Sequence, residues 1–135
     1  MSAAGYSGTP LAKKIGFKPG DSAALLDAPE QLDGLLGDLD GVTVKRSLRG
    51  HADVVLCFVT ARTQLARRAA RLRQAIAPDG MVWVCWPKRA SKVPTDMTED
   101  IVREVLLPTG LVDVKVAAID ETWSGLKLVV RRELR

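Results

Sequence analysis

Short apolar runs alternate with amphipathic stretches along most of the chain. Two of the runs, Asp53–Val59 and Met81–Trp86, are apolar on both faces, which is typical of central strands covered by helices on both sides. The stretch from Thr63 to Ala77 instead carries its apolar residues at helical spacing. The further predicted strands are Ser22–Leu26, Val42–Arg46, Val112–Ile119 and Leu126–Arg131, and the further helices are Leu11–Ile15, Glu30–Leu36 and Asp96–Leu107.

The order of these elements favours an α/β fold. Strands that alternate with helices form a parallel sheet with helices on both faces, because each parallel connection has to cross the sheet. Only Asp120–Gly125 separates the last two strands, which is too short for a parallel crossover, so these strands form an antiparallel hairpin. We therefore expect a doubly wound, mostly parallel six-stranded sheet that ends in an antiparallel hairpin.

The composition is typical of one soluble domain over all 135 residues, with 47% hydrophobic and 27% charged residues. Residues 1–8 are small and polar and predict a flexible arm. They lack the segments of an export signal, and no apolar run is long enough to span a bilayer, so we expect a cytoplasmic protein without membrane contacts. Cys57 and Cys85 lie in apolar runs without the spacing of metal ligands, which predicts buried, reduced thiols and no metal site.

The turn after the first predicted strand contains no glycine. It reads Leu25–Glu30, whereas α/β domains that bind nucleotides carry a Gly-x-Gly signature there, which lets the backbone approach the ligand. The chain therefore has the element order of a nucleotide-binding fold without the usual means of holding the ligand.

The segment from Asp53 to Arg131 resembles the class I S-adenosylmethionine-dependent methyltransferases. Asp53–Leu56, a helix and Ala77–Val84 look like that family's fourth strand, its next helix, its Pro-Gly turn and its fifth strand. The closing hairpin is similar to the family's ending, and Lys18–Asp21 is similar to its lead-in to the first strand. The resemblance implies the sheet order 2-1-3-4-6-5, with one strand-helix unit missing before Asp53, and S-adenosylmethionine as the candidate cofactor.

The chain is also similar, over nearly its whole length, to a group of short, uncharacterised bacterial proteins. This second resemblance implies the same trimmed fold and brings no activity with it. The stretches that carry it are Gly5–Leu11, Phe17–Gly20, Pro87–Lys88, Val93–Asp96 and Trp123–Gly125.

Two departures from the methyltransferase pattern argue against the usual cofactor site. The family places glycines after its first strand, where this chain has Ala28-Pro29, and an acid near the end of its second strand, where this chain has Lys45-Arg46. That acid accepts hydrogen bonds from the ribose hydroxyls, and polar ligand groups left unpaired cost about 1–3 kcal/mol each. The resemblance therefore implies the fold more firmly than it implies a bound cofactor.

In a doubly wound sheet, ligands bind beyond the carboxyl ends of the strands. This rule predicts a rim at which side chains from several turns meet and could bind a small polar ligand. The alternative is that the rim side chains contact one another instead of a ligand. In that case Lys88 pairs with Asp120 or Glu121, and Trp123 packs as a lid on the core. The candidate rim residues are Asp27, Thr60, Lys88, Asp120, Glu121, Trp123 and Ser124.

The formal net charge of +4 is unevenly distributed, because the first 40 residues carry three lysines and six acids. Arg89 and Lys92 lie in a basic loop that could contact phosphate, and Arg67 and Arg71 lie opposite the apolar stripe of the Thr63–Ala77 helix. These four residues are possible anion contacts. The alternative for the loop is a set of solvated charges, and for the helix it is an arginine-rich solvent face bridged to acids elsewhere. The scarcity of aromatic residues argues against base stacking with RNA.

These observations leave three hypotheses for the function. The leading one is a non-catalytic or regulatory binding module with a degenerate cofactor site. The enzyme alternative is an S-adenosylmethionine-dependent methyltransferase with an atypical site, in which Asp27 lies near the cofactor and Trp123 near the substrate. The third is a nucleic-acid-associated accessory protein that uses the arginine-rich helix. The only histidine, His51, precedes a strand and so lies at the opposite edge from the rim, which argues against a Ser-His-Asp hydrolase.

Overall fold

The computed structural model describes residues 10–135. The predicted arm, residues 1–8, lies outside the described residues. The strands are β1 (Ser22–Leu26), β2 (Thr43–Lys45), β3 (Ala52–Phe58), β4 (Ile76–Pro87), β5 (Leu111–Ala118) and β6 (Trp123–Val130). The helices are α1 (Leu11–Ile15), α2 (Leu32–Leu36), α3 (Arg62–Ala75) and α4 (Glu99–Leu106), with short 3₁₀ turns at Arg89–Ser91, Leu107–Thr109 and Arg132–Leu134. Within residues 10–135, no helix combines the length and the hydropathy needed to cross a bilayer.

The six strands form one sheet in the order β2-β1-β3-β4-β6-β5. The pairs among β1, β2, β3 and β4 are parallel, whereas β6 is antiparallel to both β4 and β5. The predicted fold class and strand order are therefore confirmed. Since Leu26 is in register with Cys57, and Pro87 with Trp123, the ends of β1, β3 and β4 and the start of β6 share one edge of the sheet.

Helices cover the sheet on both faces. On one face α3 and α4 pack into a core cluster that includes Leu65, Leu72 and Val102. On the other face α1 and α2 contribute Leu11 and Leu32 to a second cluster. The strand β3 supplies alternate residues to the two clusters, which confirms the prediction that its apolar run is a central strand.

The connection from β2 to β3 crosses β1 without a helix. Both strands pair with β1, on opposite edges, and only residues 46–51 join them. Leu48 packs onto the α3-side cluster from this connection, and its carbonyl accepts a hydrogen bond from Arg71 Nη2 at 2.9 Å. Leu48 and its carbonyl thus attach this connection to the α3 side of the sheet, where the resemblance implies a missing strand-helix unit.

Two strands are longer than their sequence pattern predicts. The strand β4 begins at Ile76, where the pattern predicts the end of a helix, because a bulge shifts the register between Ala52/Ile76 and Val54/Met81. Gly80 permits this bulge, since a Cβ there would lie 2.9 Å from the carbonyl oxygen of Asp53. The strand β6 begins at Trp123 rather than Leu126, so the hairpin turn is residues 119–122.

The starts of α3 and α4 also differ from the predicted caps. The N-cap of α3 is Ala61 rather than Thr63, and Gln64 compensates because its side chain accepts a hydrogen bond from the Ala61 N–H at 3.0 Å. The N-cap of α4 is Thr98 rather than Asp96, and its hydroxyl accepts a hydrogen bond from Ile101 N–H at 3.2 Å.

Candidate ligand-binding rim

The hairpin turn between β5 and β6 lies against the end of β4. The Lys88 N–H donates a hydrogen bond to the carbonyl of Thr122 at 2.7 Å, and Pro87 is paired with Trp123 across the strands. From the other side, Gln31 Nε2 donates to Asp120 Oδ2 at 3.2 Å and ties the start of α2 to the turn. The structure thus places Lys88 beside the hairpin residues at one edge of the sheet.

The Asp120 carboxylate accepts hydrogen bonds from its own turn and does not pair with Lys88. Its side chain is buried, and Oδ1 accepts hydrogen bonds from the N–H groups of Thr122 and Trp123, each at 2.8 Å. Within residues 10–135, no ion pair joins Lys88 to Asp120 or to the exposed Glu121. The carboxylate of Asp120 therefore serves the hairpin and is not presented as a free ligand group.

Trp123 is partly buried and closes the core on the α1/α2 side. Its ring meets Phe58 edge to face, with 5.1 Å between the ring centroids and an angle of 82°. Ser124 lies in β6 opposite Trp86 rather than in the turn. The expectation of a lid on the core is confirmed for Trp123.

The end of β1 is occupied by an ion pair. Asp27 adopts a left-handed backbone conformation, with φ of 54°, and its Oδ2 lies 2.6 Å from Nη2 of Arg68. The same guanidinium donates through Nη1 to Cys57 Sγ at 3.6 Å. Arg68 thus reaches from α3 across β3 to the turn after β1. Burial raises the pKa of the Cys57 thiol, and the nearby guanidinium partly opposes that rise.

Thr60, at the end of β3, is engaged by local hydrogen bonds. Its N–H and its hydroxyl both donate to Gln64 Oε1, at 2.8 and 3.3 Å. Its carbonyl accepts a hydrogen bond from the Thr95 hydroxyl at 2.6 Å. Thr60 therefore anchors the start of α3 and the loop before α4.

The end of β2 carries cations that already have partners. Arg46 pairs with Asp33 of α2 at 3.1 Å, and Lys45 Nζ donates to the carbonyls of Arg49 and His51. An acid at this position, which the methyltransferase resemblance would require, is absent from the sequence. The carbonyls that Lys45 contacts lie in the β2–β3 connection, so the lysine helps to hold the chain where a helix is missing.

The arginine-rich helix is mostly engaged with the rest of the protein. Arg62 pairs with Glu104 at 2.7 Å, Arg68 pairs with Asp27, and Arg71 donates to the Leu48 carbonyl. Of the two predicted anion contacts on this helix, Arg71 is thus a structural contact, and Arg67 is exposed. The hypothesis of a nucleic-acid interface on this helix stays a prediction.

A cavity of about 590 Å³ lies between the end of β4 and the start of α4. It brings together the other two predicted anion contacts, Arg89 and Lys92, with the buried side chains of Trp86 and Met97. The sequence pattern predicts only an exposed loop here. One signal in the sequence does point to the cavity. The connection from β4 to α4, residues 88–98, is longer than the two to six residues that such connections usually take.

Solved structures share this fold at low sequence identity. The ribosomal protein L11 methylase from Lactobacillus delbrueckii subsp. bulgaricus superposes with a TM-score of 0.58 at 11% identity, over 90% of this chain and 76% of that one. A SAM-dependent methyltransferase from Aquifex aeolicus gives a TM-score of 0.57 at 14% identity, over 89% and 88%. Magnesium protoporphyrin IX methyltransferase from Synechocystis PCC 6803, solved with bound SAM, gives 0.56 at 11%, over 90% and 74%.

No protein-family model matches the sequence, and no curated protein matches it significantly. The resemblance to methyltransferases therefore rests on the three-dimensional arrangement, which at these identities shows the fold alone. The strand order, the antiparallel β6 and the helices on both faces agree with that arrangement. The chain has the fold of the S-adenosylmethionine-dependent methyltransferases.

Proposed function

We propose that this protein is a non-catalytic binding module with a methyltransferase-like fold and a degenerate cofactor site. One observation carries the proposal: the Arg68–Asp27 ion pair occupies the turn after β1. That turn is where the Gly-rich loop of a nucleotide-binding α/β fold brings its backbone to the ligand. Here it presents Ala28, Pro29 and an arginine–carboxylate pair instead.

The donors and acceptors around this turn support the proposal. Gln64 Oε1 already accepts hydrogen bonds from the backbone N–H groups of Thr60 and Ala61, so these two N–H groups are not free to bind a ligand. At the end of β2, Arg46 and Lys45 cannot accept hydrogen bonds from ribose hydroxyls, because guanidinium and ammonium groups are donors only. The residues at this position therefore do not fit S-adenosylmethionine in the usual way.

Binding of S-adenosylmethionine and S-adenosylhomocysteine tests the proposal directly. We expect no heat in calorimetry and no shift in melting temperature with either compound at millimolar concentration. A site with a dissociation constant one hundredfold below the ligand concentration would stabilise the protein by about 2.7 kcal/mol. A domain of this size would then melt several degrees higher, so a functional site would be seen.

The Synechocystis methyltransferase, which was solved with bound SAM, is the positive control. A one-to-one binding isotherm for this protein, with a matching rise in melting temperature, would overturn the proposal. The Arg68→Ala variant adds a second readout. We expect it to have no affinity for S-adenosylmethionine either, because the glycines and the ribose acceptor are also missing.

A second candidate function is a methyltransferase with an atypical cofactor site. The observation in its favour is the juxtaposition of Lys88 with the turn before Trp123, which puts a cation and an aromatic ring at the same edge of the sheet. In this alternative Asp27 would lie near the cofactor and Trp123 near the substrate. It predicts binding of S-adenosylmethionine that weakens in an Asp27→Asn variant, whereas the binding-module proposal predicts no binding to either form.

A further inference from the structure

The cavity between β4 and α4 has the size of a small-molecule site. Its volume of about 590 Å³ falls within the range of about 300–1,000 Å³ that ligand pockets occupy. The cavity lies next to the rim on the α3/α4 side of the sheet, at the end of β4, whereas the Arg68–Asp27 pair lies at the end of β1. The residues that line it are Trp86, Pro87, Arg89, Lys92, Val93, Pro94, Thr95, Asp96, Met97, Thr98 and Glu99.

The loop that forms the cavity is fixed by its own hydrogen bonds. The Ser91 hydroxyl donates to the Lys88 carbonyl at 2.6 Å and accepts from the Val93 N–H at 3.2 Å. The Thr95 hydroxyl donates to the Thr60 carbonyl at 2.6 Å and accepts from the Met97 N–H at 2.9 Å. Because these contacts hold the loop in place, a ligand would not have to order it on binding.

The acids of the cavity are committed to other groups. Asp96 Oδ1 accepts a hydrogen bond from the Arg62 N–H at 2.8 Å, and the Glu99 carboxylate pairs with Arg103. In contrast, the side chains of Arg89 and Lys92 form no ion pair within residues 10–135. The hydrogen bond to Asp96 comes from a neutral backbone N–H and leaves its charge in place, so the two cations against this one carboxylate leave a single net positive charge in the cavity, which favours an anionic ligand.

The rest of the cavity wall is largely apolar. Trp86 and Met97 are buried, with 7% and 4% of their surface exposed, and they form its inner side. Pro87, Val93 and Pro94 add further apolar surface. A ligand that fills the cavity would therefore need an apolar body as well as an anionic group.

The backbone at Lys92 is strained. Lys92 and Asp27 are the two residues other than glycine with positive φ in the described part of the chain, and φ is 62° at Lys92. This conformation lets the Lys92 N–H donate to the Arg89 carbonyl at 3.1 Å, but for a lysine it costs about 1–2 kcal/mol relative to the right-handed one. Strain of this kind is typical of functional sites, and here it closes the 3₁₀ turn that presents both Arg89 and Lys92 to the cavity.

We propose that this cavity binds a small organic anion in which a carboxylate or phosphate is joined to an apolar or aromatic group. Arg89 and Lys92 bind the anionic group, and the wall of Trp86, Met97 and Pro94 contacts the apolar body. This inference deepens the proposed binding-module function and rests on it, since it names the ligand class and the place where the ligand binds.

Four probes separate the chemical requirements: phenyl phosphate, benzoate, phenol and inorganic phosphate. In titrations followed by ¹H-¹⁵N NMR, we expect phenyl phosphate or benzoate to shift the Trp86 indole and the Met97 and Thr98 amides. Whichever of these two binds more tightly identifies the anionic group. Phenol lacks the charge and inorganic phosphate lacks the apolar body, so each should bind at least about tenfold more weakly. Equal binding of phenol and the anions would overturn the proposal.

Charge variants locate the site. The double variant Arg89→Gln/Lys92→Gln should weaken binding of the anionic probe about tenfold or more. The matched control Arg49→Gln/Arg132→Gln removes the same charge from exposed positions outside the cavity and should leave the affinity unchanged. Equal losses in both double variants would show that only net charge attracts the probe, and would overturn the proposal.

The same spectra distinguish failure of this inference from failure of the proposed function. Saturable shifts at Asp27 and Thr60 with S-adenosylmethionine would overturn the degenerate-site proposal. The absence of shifts at Trp86 and Met97 with both anionic aromatic probes would overturn the cavity proposal. Because Thr60 accepts a hydrogen bond from Thr95 of the cavity, a shift at Thr60 alone does not separate the proposals, and the assignment rests on Asp27, which follows β1, against Trp86 and Met97, which line the cavity.

Discussion

The two ends of the rim differ in what fills them. At the end of β1, an arginine from a distant helix neutralises Asp27, and the neighbouring donors and acceptors are paired within the protein. At the end of β4, a loop held by its own hydrogen bonds encloses a cavity in which Glu99 is ion-paired, Asp96 accepts a backbone hydrogen bond, and Arg89 and Lys92 have no ion-pair partner among the described residues. The turn that a methyltransferase fold uses for its cofactor thus holds an internal ion pair, and we call it the closed end, whereas the end of β4, which adjoins a cavity, is called the open end. Under the two proposals, this fold keeps its binding edge while the place at which a ligand binds moves along that edge.

The largest expected effect concerns the wall of the open end. If the cavity is a preformed site rather than loose packing, its inner wall must be part of the core. Trp86→Ala should then lower the free energy of unfolding by about 3–5 kcal/mol, because it removes a buried indole and enlarges the cavity. Urea denaturation measures this loss, and Trp86→Phe should lose less. A loss below about 1 kcal/mol for Trp86→Ala would mean that the open end is not supported by packing.

The next effect concerns the closed end. Gln64→Ala leaves the N–H groups of Thr60 and Ala61 without their acceptor, and we expect a loss of about 1–3 kcal/mol in the free energy of unfolding. Gln74→Ala removes the same side chain from an exposed position on the same helix and should change stability by less than about 0.5 kcal/mol. Gln64→Glu keeps the acceptor and should recover most of the loss. Equal effects of the two alanine variants would contradict the view that the closed end is held by Gln64.

The smallest effect tests the strained loop of the open end. Lys92→Gly should raise the free energy of unfolding by about 0.5 kcal/mol, because relief of about 1–2 kcal/mol of backbone strain exceeds the extra chain entropy of glycine. Lys88→Gly is the matched control. Its φ is −65°, which lysine adopts without strain, so glycine relieves nothing there and adds only chain entropy to the unfolded state, and this variant should lose about 0.5–1 kcal/mol. Thermal and urea unfolding of both variants should give changes of opposite sign. Changes of the same sign would contradict the proposed backbone strain at Lys92.

The sequence predicted the layered fold because its apolar pattern responds to burial. A strand such as β3, apolar on both faces, can be stable only between two layers of helices, and a six-residue link can form only an antiparallel pair. Details that depend on contacts between distant segments were not predicted. The early start of β4 needs the bulge at Gly80, which lies close to Asp53 in another strand, and the caps of α3 and α4 depend on Gln64 and Thr98 rather than on the predicted Thr63 and Asp96.

The candidate site was predicted in part. Lys88 and the hairpin residues meet as the topology requires, because strand order alone decides which turns share an edge. The reach of Arg68 to Asp27 could not be predicted, since a long flexible side chain on a partly exposed helix has many directions open to it. The cavity was also missed, although Arg89 and Lys92 were recognised as possible anion contacts.

The sequence by itself determined the fold class and the closing antiparallel hairpin, because hydrophobic periodicity and connection length act locally along the chain, and its resemblance to methyltransferases implied the strand order and hence the candidate binding edge. Only the tertiary structure decided which end of that edge is closed and which is open. That choice depends on where individual side chains from separate elements find their partners, and such pairing is a property of the packed molecule rather than of any one segment.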